Sequence, residues 1–81
     1  MITCQQYDYI EIACLYHLAI KLIFTDGKTI CGIAQDISYN QNKQQCLLLH
    51  QQTGVASIEI STLKSMQALT ANTHFSVINF N

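Results

Sequence analysis

The side chains best suited to chemistry in this 81-residue sequence are its cysteines and histidines. Cys14 and His17 stand at the C-x-x-H spacing found in zinc sites, and this spacing also brings an imidazole near a thiol. Structural zinc ordinarily requires two close ligand pairs, and an active thiolate requires a lowered pKa and an orienting third group. The sequence has only this one pair, besides the separate candidates Cys4, Cys31, Cys46, His50 and His74. We therefore expect reduced, packed cysteines, no metal, no cofactor and no enzymatic activity, although a metal-stabilised domain is kept as an alternative.

Two acids near the N-terminus form the second candidate site. Asp8 and Glu11 are three residues apart, so they lie on neighbouring positions of a helix surface. They fit the pattern that caps the free N–H groups of a helix start, and Thr3 with Gln6 fits the same pattern. The two acids could therefore serve the helix start, where the helix dipole favours negative charge. The functional alternative is an exposed acidic edge that meets a basic partner.

Charge narrows the class of that partner. The net charge is -1 and the chain has no arginine, only four scattered lysines. Nucleic-acid-binding proteins neutralise phosphates with clustered Lys and Arg, so a direct nucleic-acid ligand is disfavoured. The N-terminus lacks the basic and apolar regions of a signal peptide, and the apolar run 17–24 is too short to span a bilayer. We expect a cytoplasmic protein with a protein partner and no membrane contact.

The first two elements that position these residues are a helix and a strand. Apolar spacing predicts a helix over about residues 6–16, whose packed stripe consists of Ile10, Ala13, Cys14 and His17. From residue 18 to residue 24 the period changes to two, which predicts a half-buried strand.

The dipeptide Asp26-Gly27 predicts the hairpin that follows. A two-residue Asp-Gly loop favours a type I′ turn, because both turn positions then need positive φ. A loop of this length would pair Thr25 with Lys28. In that register Leu22 faces Cys31 and Ile20 faces Ile33 on the core side, while Ile23 and Ile30 meet on the other side.

The rest of the chain is typical of a mainly β domain. Gly32 in the second strand indicates a bend or a close backbone approach. We predict a loop at 38–44, a strand at 45–50, a turn at 51–54 and a strand at 55–60, and the pattern leaves 61–81 open between helix and strand. The sequence thus predicts one domain over 1–81, a small curved antiparallel barrel or sandwich covered by the N-terminal helix.

Residues 2–14, I-T-C-Q-Q-Y-D-Y-I-E-I-A-C, are similar to a family signature. They resemble the N-terminus of the Rho-binding antiterminators (Rof/YaeO), which has the form I-x-C-x-x-Y-D-x-h-E-h-A-C, with h apolar. The similarity continues through Asp26-Gly27 to Ala34-x-Asp36-Ile37, and later strands agree by pattern. The resemblance implies an Sm-like fold, in which an N-terminal helix lies on a strongly bent five-stranded antiparallel sheet.

The resemblance also implies a function and a contact surface. Members of this family inhibit Rho-dependent transcription termination by binding the N-terminal RNA-binding region of Rho and blocking RNA loading, with carboxylates in the place of phosphates. Asp8 and Glu11 match the acidic helix positions and are expected to contact Rho. Tyr9 and Lys43 are further candidates at the edge of that contact.

One pair of residues departs from the family pattern. Relatives can carry an acidic pair after the first cysteine, where this chain has Gln5 and Gln6, whose amides are expected to replace part of the charge by hydrogen bonding. We expect a monomer. The alternative function, suggested by the barrel pattern alone, is an Sm-like RNA-binding module that could form a ring.

Overall fold

The computed structural model describes residues 3–80, so Met1, Ile2 and Asn81 of the predicted domain and motif lie outside it. Helix α1 is followed by six strands, which form one antiparallel sheet in the order β4-β3-β2-β1-β5-β6. The elements are α1 (Cys4–Leu15), β1 (Ala19–Phe24), β2 (Thr29–Tyr39), β3 (Gln45–Gln51), β4 (Gly54–Glu59), a 3₁₀ helix (Ile60–Thr62), β5 (Leu63–Ala68) and β6 (Val77–Asn79). The predicted mainly β fold with an N-terminal helix is confirmed, and the described chain adds a short sixth strand to the expected five. None of its helices has the length and apolar character needed to cross a membrane.

The sheet changes direction along β2. This strand pairs with β1 up to Ile33 and with β3 from Ile33 onward. Its register with β3 shifts between Ala34 and Asp36, which is the mark of a β-bulge, and bulges bend a strand. At Gly32 a Cβ atom would lie 2.7 Å from Cγ of Leu49, closer than real Cβ atoms come. The close approach predicted at Gly32 is confirmed.

The hairpin between β1 and β2 has a three-residue loop rather than the predicted two-residue turn. The N–H of Phe24 donates to the carbonyl of Lys28 over 2.8 Å, and the first strand pair is Ile23 with Thr29. Gly27 has a φ of 92°, whereas Asp26 keeps a negative φ. A single left-handed residue at the end of the loop is typical of three-residue hairpins, so the type I′ prediction is wrong.

This difference of one residue in the register moves each side chain of β2 to the face opposite to the predicted one. Leu22 pairs with Ile30 instead of Cys31, and the later pairs shift in the same way. Because successive side chains of a strand point to opposite faces, a one-residue shift moves the whole set. Cys31 and Ile33, predicted in the core, are exposed, and Ala34 is fully buried in their place.

Two segments of the region left open in the sequence form strands. Residues 63–68 are β5, which pairs with β1 on the side opposite to β2. A short stretch, residues 77–79, then pairs with β5 as β6. The predicted 38–44 loop is shorter, since β2 continues to Tyr39, and β4 spans 54–59 rather than 55–60.

The hydrophobic core lies between α1 and the sheet. Helix α1 contributes Ile10, Ala13 and Cys14, and it packs mainly on β2. At the other end of the chain, Phe80 is 1% exposed, and its N–H donates to the carbonyl of Lys64 over 2.8 Å. Burial of one such large apolar side chain contributes about 1.5 to 3 kcal/mol. The core therefore contains side chains from both α1 and the C-terminal segment. Packing in this core holds α1 in position on the sheet.

Candidate partner-binding surface

Helix α1 begins at Thr3. The Oγ1 atom of Thr3 accepts from the N–H of Gln6 over 3.2 Å, and Oε1 of Gln6 accepts from the N–H of Thr3 over 2.9 Å. This reciprocal capping box starts the helix at Cys4 rather than at residue 6. Asp8 then lies in the second turn, beyond the first turn where the helix dipole acts. The capping role considered for Asp8 and Glu11 is therefore wrong.

The other end of α1 is closed by a Schellman motif. The N–H of Leu18 donates to the carbonyl of Ala13 over 2.9 Å, and the N–H of His17 donates to that of Cys14 over 3.2 Å. His17 has a φ of 49°, which histidine adopts more readily than most residues. His17 is exposed and outside the packed stripe where it was predicted, and its Nδ1 lies 3.2 Å from the carbonyl of Ala34.

An open groove runs between α1 and the second half of β2. It has a volume of about 660 Å³, and its lining includes Tyr7 and Glu11 from the helix and Asp36 and Tyr39 from β2. A smaller groove of about 330 Å³ lies at the helix start and is lined by Tyr7 and Asp8 among others. Because Tyr7 lines both, we treat them as one surface, called the helix groove. Its defining residues are Tyr7, Asp8, Glu11, Asp36 and Tyr39.

The helix groove carries negative charge. Three of the five acids of the chain line it, and no lysine is among the described residues that do. Burial, together with the smaller effects of the nearby Asp36 and Glu11 charges, raises the pKa of the Cys14 thiol to about 11. The pKa of Tyr7 is also raised, first by burial and then by Tyr39 and Glu11. Cys14 is therefore a neutral thiol at pH 7, which is not the state of a nucleophile or of a zinc ligand.

Asp8 and Glu11 differ from the other acids in having no partner among the described residues. Both are exposed, and within residues 3–80 their carboxylates accept no hydrogen bond and form no ion pair. The remaining three acids each accept a hydrogen bond of 2.8 to 3.1 Å from a nearby residue, and they are Asp26, Asp36 and Glu59. The two helix carboxylates are thus the ones available to another molecule.

Two other predicted contact residues are engaged in the fold. Nε2 of Gln6 donates to the carbonyl of Asn79 over 2.7 Å, while Oε1 belongs to the capping box. The ring of Tyr9 packs edge-on against Phe75, with centroids 5.8 Å apart, and is half-buried. Both residues lie on the flank of α1 that faces the C-terminal segment. Contact of Gln6 or Tyr9 with a partner stays a prediction, and it would compete with these interactions.

Gln5 and Lys43 are exposed, but the structure does not bring them into the helix groove. Gln5 lies one turn before Asp8 on the helix surface. Lys43 is in the loop between β2 and β3, where its φ is 61°. Sequence analysis missed Asp36, Tyr39 and Tyr7 as candidate residues. Two of them, Tyr7 and Asp36, stand in the quoted motif, whereas Tyr39 had no signal in the sequence.

Comparison with known proteins identifies the family. A family model described as "Modulator of Rho-dependent transcription termination (ROF)" matches residues 1–80. The chain belongs to the Rof family. Among solved structures it is similar to "YaeO bound to Magnesium from Vibrio cholerae O395", with 45% identity and a TM-score of 0.88. That match covers 94% of this chain and 99% of the other, and comparison with curated proteins gave no match. The Rof resemblance predicted from residues 2–14 is confirmed, and the family description concerns regulation rather than catalysis.

Proposed function

We propose that this Rof-family chain inhibits Rho-dependent termination by binding the N-terminal RNA-binding region of Rho through its helix groove, which blocks RNA loading. The family description supports modulation of Rho-dependent termination. The observation that supports the finer proposal is the exposed pair Asp8 and Glu11, which has no partner within residues 3–80 and shares the helix groove with a third acid, Asp36. A protein surface that binds RNA phosphates presents cationic side chains, and carboxylates complement these. This function would place the protein in the cytoplasm.

The aromatic residues of the groove suit the same kind of partner. Tyr7 and Tyr39 line it together with Glu11. Lysine and arginine side chains interact favourably with aromatic faces as well as with carboxylates. Exposed charge pairs are screened by salt and act mainly on the rate of association. We therefore expect inhibition of RNA binding to weaken as the salt concentration rises.

A competition experiment tests the proposal. Purified Rho is loaded with labelled RNA, and the chain is added in increasing amounts. We expect the wild-type chain to displace the RNA, and we expect the double variant Asp8→Asn, Glu11→Gln to need at least about tenfold more protein, which corresponds to about 1.4 kcal/mol. These changes remove charge at constant shape, and neither carboxylate has a hydrogen bond to lose within the described residues.

The matched control is the double variant Asp26→Asn, Glu59→Gln. It removes the same charge outside the helix groove, and each new amide keeps an oxygen that can accept the existing hydrogen bond. Wild-type displacement is expected for it. If both double variants displace RNA as well as the wild type does, the proposed contact is wrong.

The alternative of direct RNA binding has less support. Three acids and no lysine line the groove among the described residues, a charge balance that repels phosphate. A gel-shift experiment with RNA and no Rho separates the two hypotheses. A salt-dependent shift caused by the chain alone would favour the RNA-binding module over the proposed inhibition of Rho.

The related YaeO structure is described as bound to magnesium. In the part of this chain that the structure describes, no three His, Cys, Asp or Glu side chains are grouped so that they could hold a metal.

A further inference from the structure

Gln6 connects two regions that are 73 residues apart in sequence. Its Oε1 atom completes the capping box of α1 with Thr3, and its Nε2 atom donates to the carbonyl of Asn79 over 2.7 Å. Asn79 ends β6, and Phe80, directly after it, is buried in the core. One amide side chain thus holds both the start of the helix and the last strand.

We propose that Gln6 is a positioning residue, which couples β6 to α1 and thereby keeps Asp8 and Glu11 in the orientation that a partner meets. Strand β6 has three residues and lies at the edge of the sheet, so it has few backbone hydrogen bonds of its own. The contact from Gln6 ties this short strand to the helix. The consequence for binding rests on the function proposed above, whereas the coupling itself does not.

The coupling works in both directions. If an ordered β6 favours the binding orientation of α1, a partner bound to α1 must favour an ordered β6 by the same factor. Binding of Rho should therefore slow the opening of β6. The backbone N–H of Phe80, which donates to Lys64 across the pair of strands, reports that opening by hydrogen exchange.

The test compares Gln6→Glu with Gln5→Glu. Glutamate at residue 6 keeps an oxygen for the capping box, which commonly uses Glu, but it has no N–H to donate to Asn79. Gln5→Glu adds the same charge one residue earlier, at an exposed side chain that forms no hydrogen bond within residues 3–80. The two variants thus have the same net charge and a similar interaction of the new carboxylate with the helix dipole. Only the contact with β6 differs between them.

Hydrogen exchange is measured first, without Rho. We expect exchange at Phe80 to become about 3- to 10-fold faster in Gln6→Glu, as the loss of one hydrogen bond predicts. We expect no change at Phe80 in Gln5→Glu. The N–H of Ala34, which donates to Leu18 in the core, is the reference for global unfolding. Its exchange should not change in Gln5→Glu, and in Gln6→Glu it should be accelerated no more than that of Phe80, because the lost hydrogen bond also lowers the free energy of global unfolding. Equal exchange at Phe80 in the two variants would overturn the coupling.

Competition with RNA for Rho is measured second. Gln6→Glu should need a few-fold more protein than Gln5→Glu to displace RNA, and bound Rho should protect Phe80 less in Gln6→Glu than in the wild type. Faster exchange at Phe80 with equal competition by the two variants would overturn the positioning role. Failure of the proposed function is recognised separately. The wild-type chain would then not displace RNA from Rho, or the Asp8→Asn, Glu11→Gln variant would displace it as well as the wild type does, while the exchange experiment without Rho still tests the coupling.

Discussion

The two flanks of helix α1 differ in whether their side chains interact with the rest of the fold. On the groove flank, Asp8 and Glu11 are exposed and have no partner within residues 3–80. On the C-terminal flank, Gln6 is bonded to Asn79, and Tyr9 packs against Phe75. All four were predicted contact residues. The difference teaches that the spacing of residues along the chain predicts which side chains lie on the helix surface. Which of these side chains then form bonds within the fold is determined by a segment distant in sequence.

The strongest way to break this comparison is to remove the anchor of the C-terminal segment. Phe80→Ala deletes a side chain that is 1% exposed, and we expect a loss of about 3 to 5 kcal/mol in the free energy of unfolding, measured with denaturant. The control is Leu15→Ala on the groove flank, which is 71% exposed and should change stability by less than about 0.5 kcal/mol. A stable Phe80→Ala variant would show that the C-terminal flank is held by something else.

A second test concerns the start of the helix, where Thr3 stabilises the fold and is not expected to contact a partner. Thr3→Ala removes the cap oxygen and should cost about 1 kcal/mol of unfolding free energy. Asp8→Ala should cost less than about 0.5 kcal/mol, because Asp8 is exposed and has no hydrogen bond within residues 3–80. If the costs are reversed in denaturant unfolding, Asp8 rather than Thr3 would be the residue that supports the helix start.

Lys43 tests how far the contact surface extends beyond the helix. Lys43→Asn removes the charge, and Asn tolerates the φ of 61° at this position, so stability should change by less than about 0.5 kcal/mol. If Lys43 lies at the edge of the contact as predicted, competition for Rho should weaken about two- to fivefold, as for an exposed charge pair. Unchanged competition would confine the contact to the helix groove.

The smallest expected effect uses Cys14 as a reporter of the groove charges. Glu11 helps to raise the pKa of this thiol, so Glu11→Gln should lower that pKa, whereas Asp8→Asn should not. The pH dependence of alkylation at Cys14, followed by peptide mass spectrometry, measures the shift. The pKa of about 11 in the folded chain lies above its ordinary value of 9.0. This group therefore contributes stability that is complete below about pH 9 and is lost as the pH rises toward 11.

A Cys14→Ala variant isolates the contribution of the thiol to stability. Denaturant unfolding at pH 8 and at pH 10.5 should show a smaller decrease with rising pH in this variant than in the wild type. An equal decrease in both would mean that Cys14 is not the group whose titration matters.

Local patterns predicted the elements well and their pairing less well. Spacing of Ile10, Ala13 and Cys14 predicted α1, because a helix is stabilised by contacts between near neighbours. The Asp26-Gly27 dipeptide predicted the hairpin, but a glycine with positive φ also suits a three-residue loop, so the register was wrong by one residue. The 61–81 region was undecided, since β5 depends on pairing with β1, 40 or so residues earlier along the chain.

In the candidate site too, the local features were predicted and the contacts between distant segments were not. The motif in residues 2–14 predicted the acids and the family, and the family is confirmed. The opposite wall of the groove, with Asp36 and Tyr39, depends on a bulge in β2 that no residue type indicated. The C-terminal partners of Gln6 and Tyr9 were unpredictable for a similar reason, because Asn79 and Phe75 are distant in sequence from the helix and lie beside it only in the folded structure.

The hydrogen bond between Gln6 and Asn79 also has a consequence for protein engineering. It brings the two ends of the described chain together, and adjacent termini are what a circular permutation requires. A short linker could join them, and new termini could open at the exposed Gln52-Thr53 turn, where the connection between β3 and β4 is tight and polar. Such a rearranged chain would make the cap of α1 and the last strand neighbours in sequence, as they already are in space.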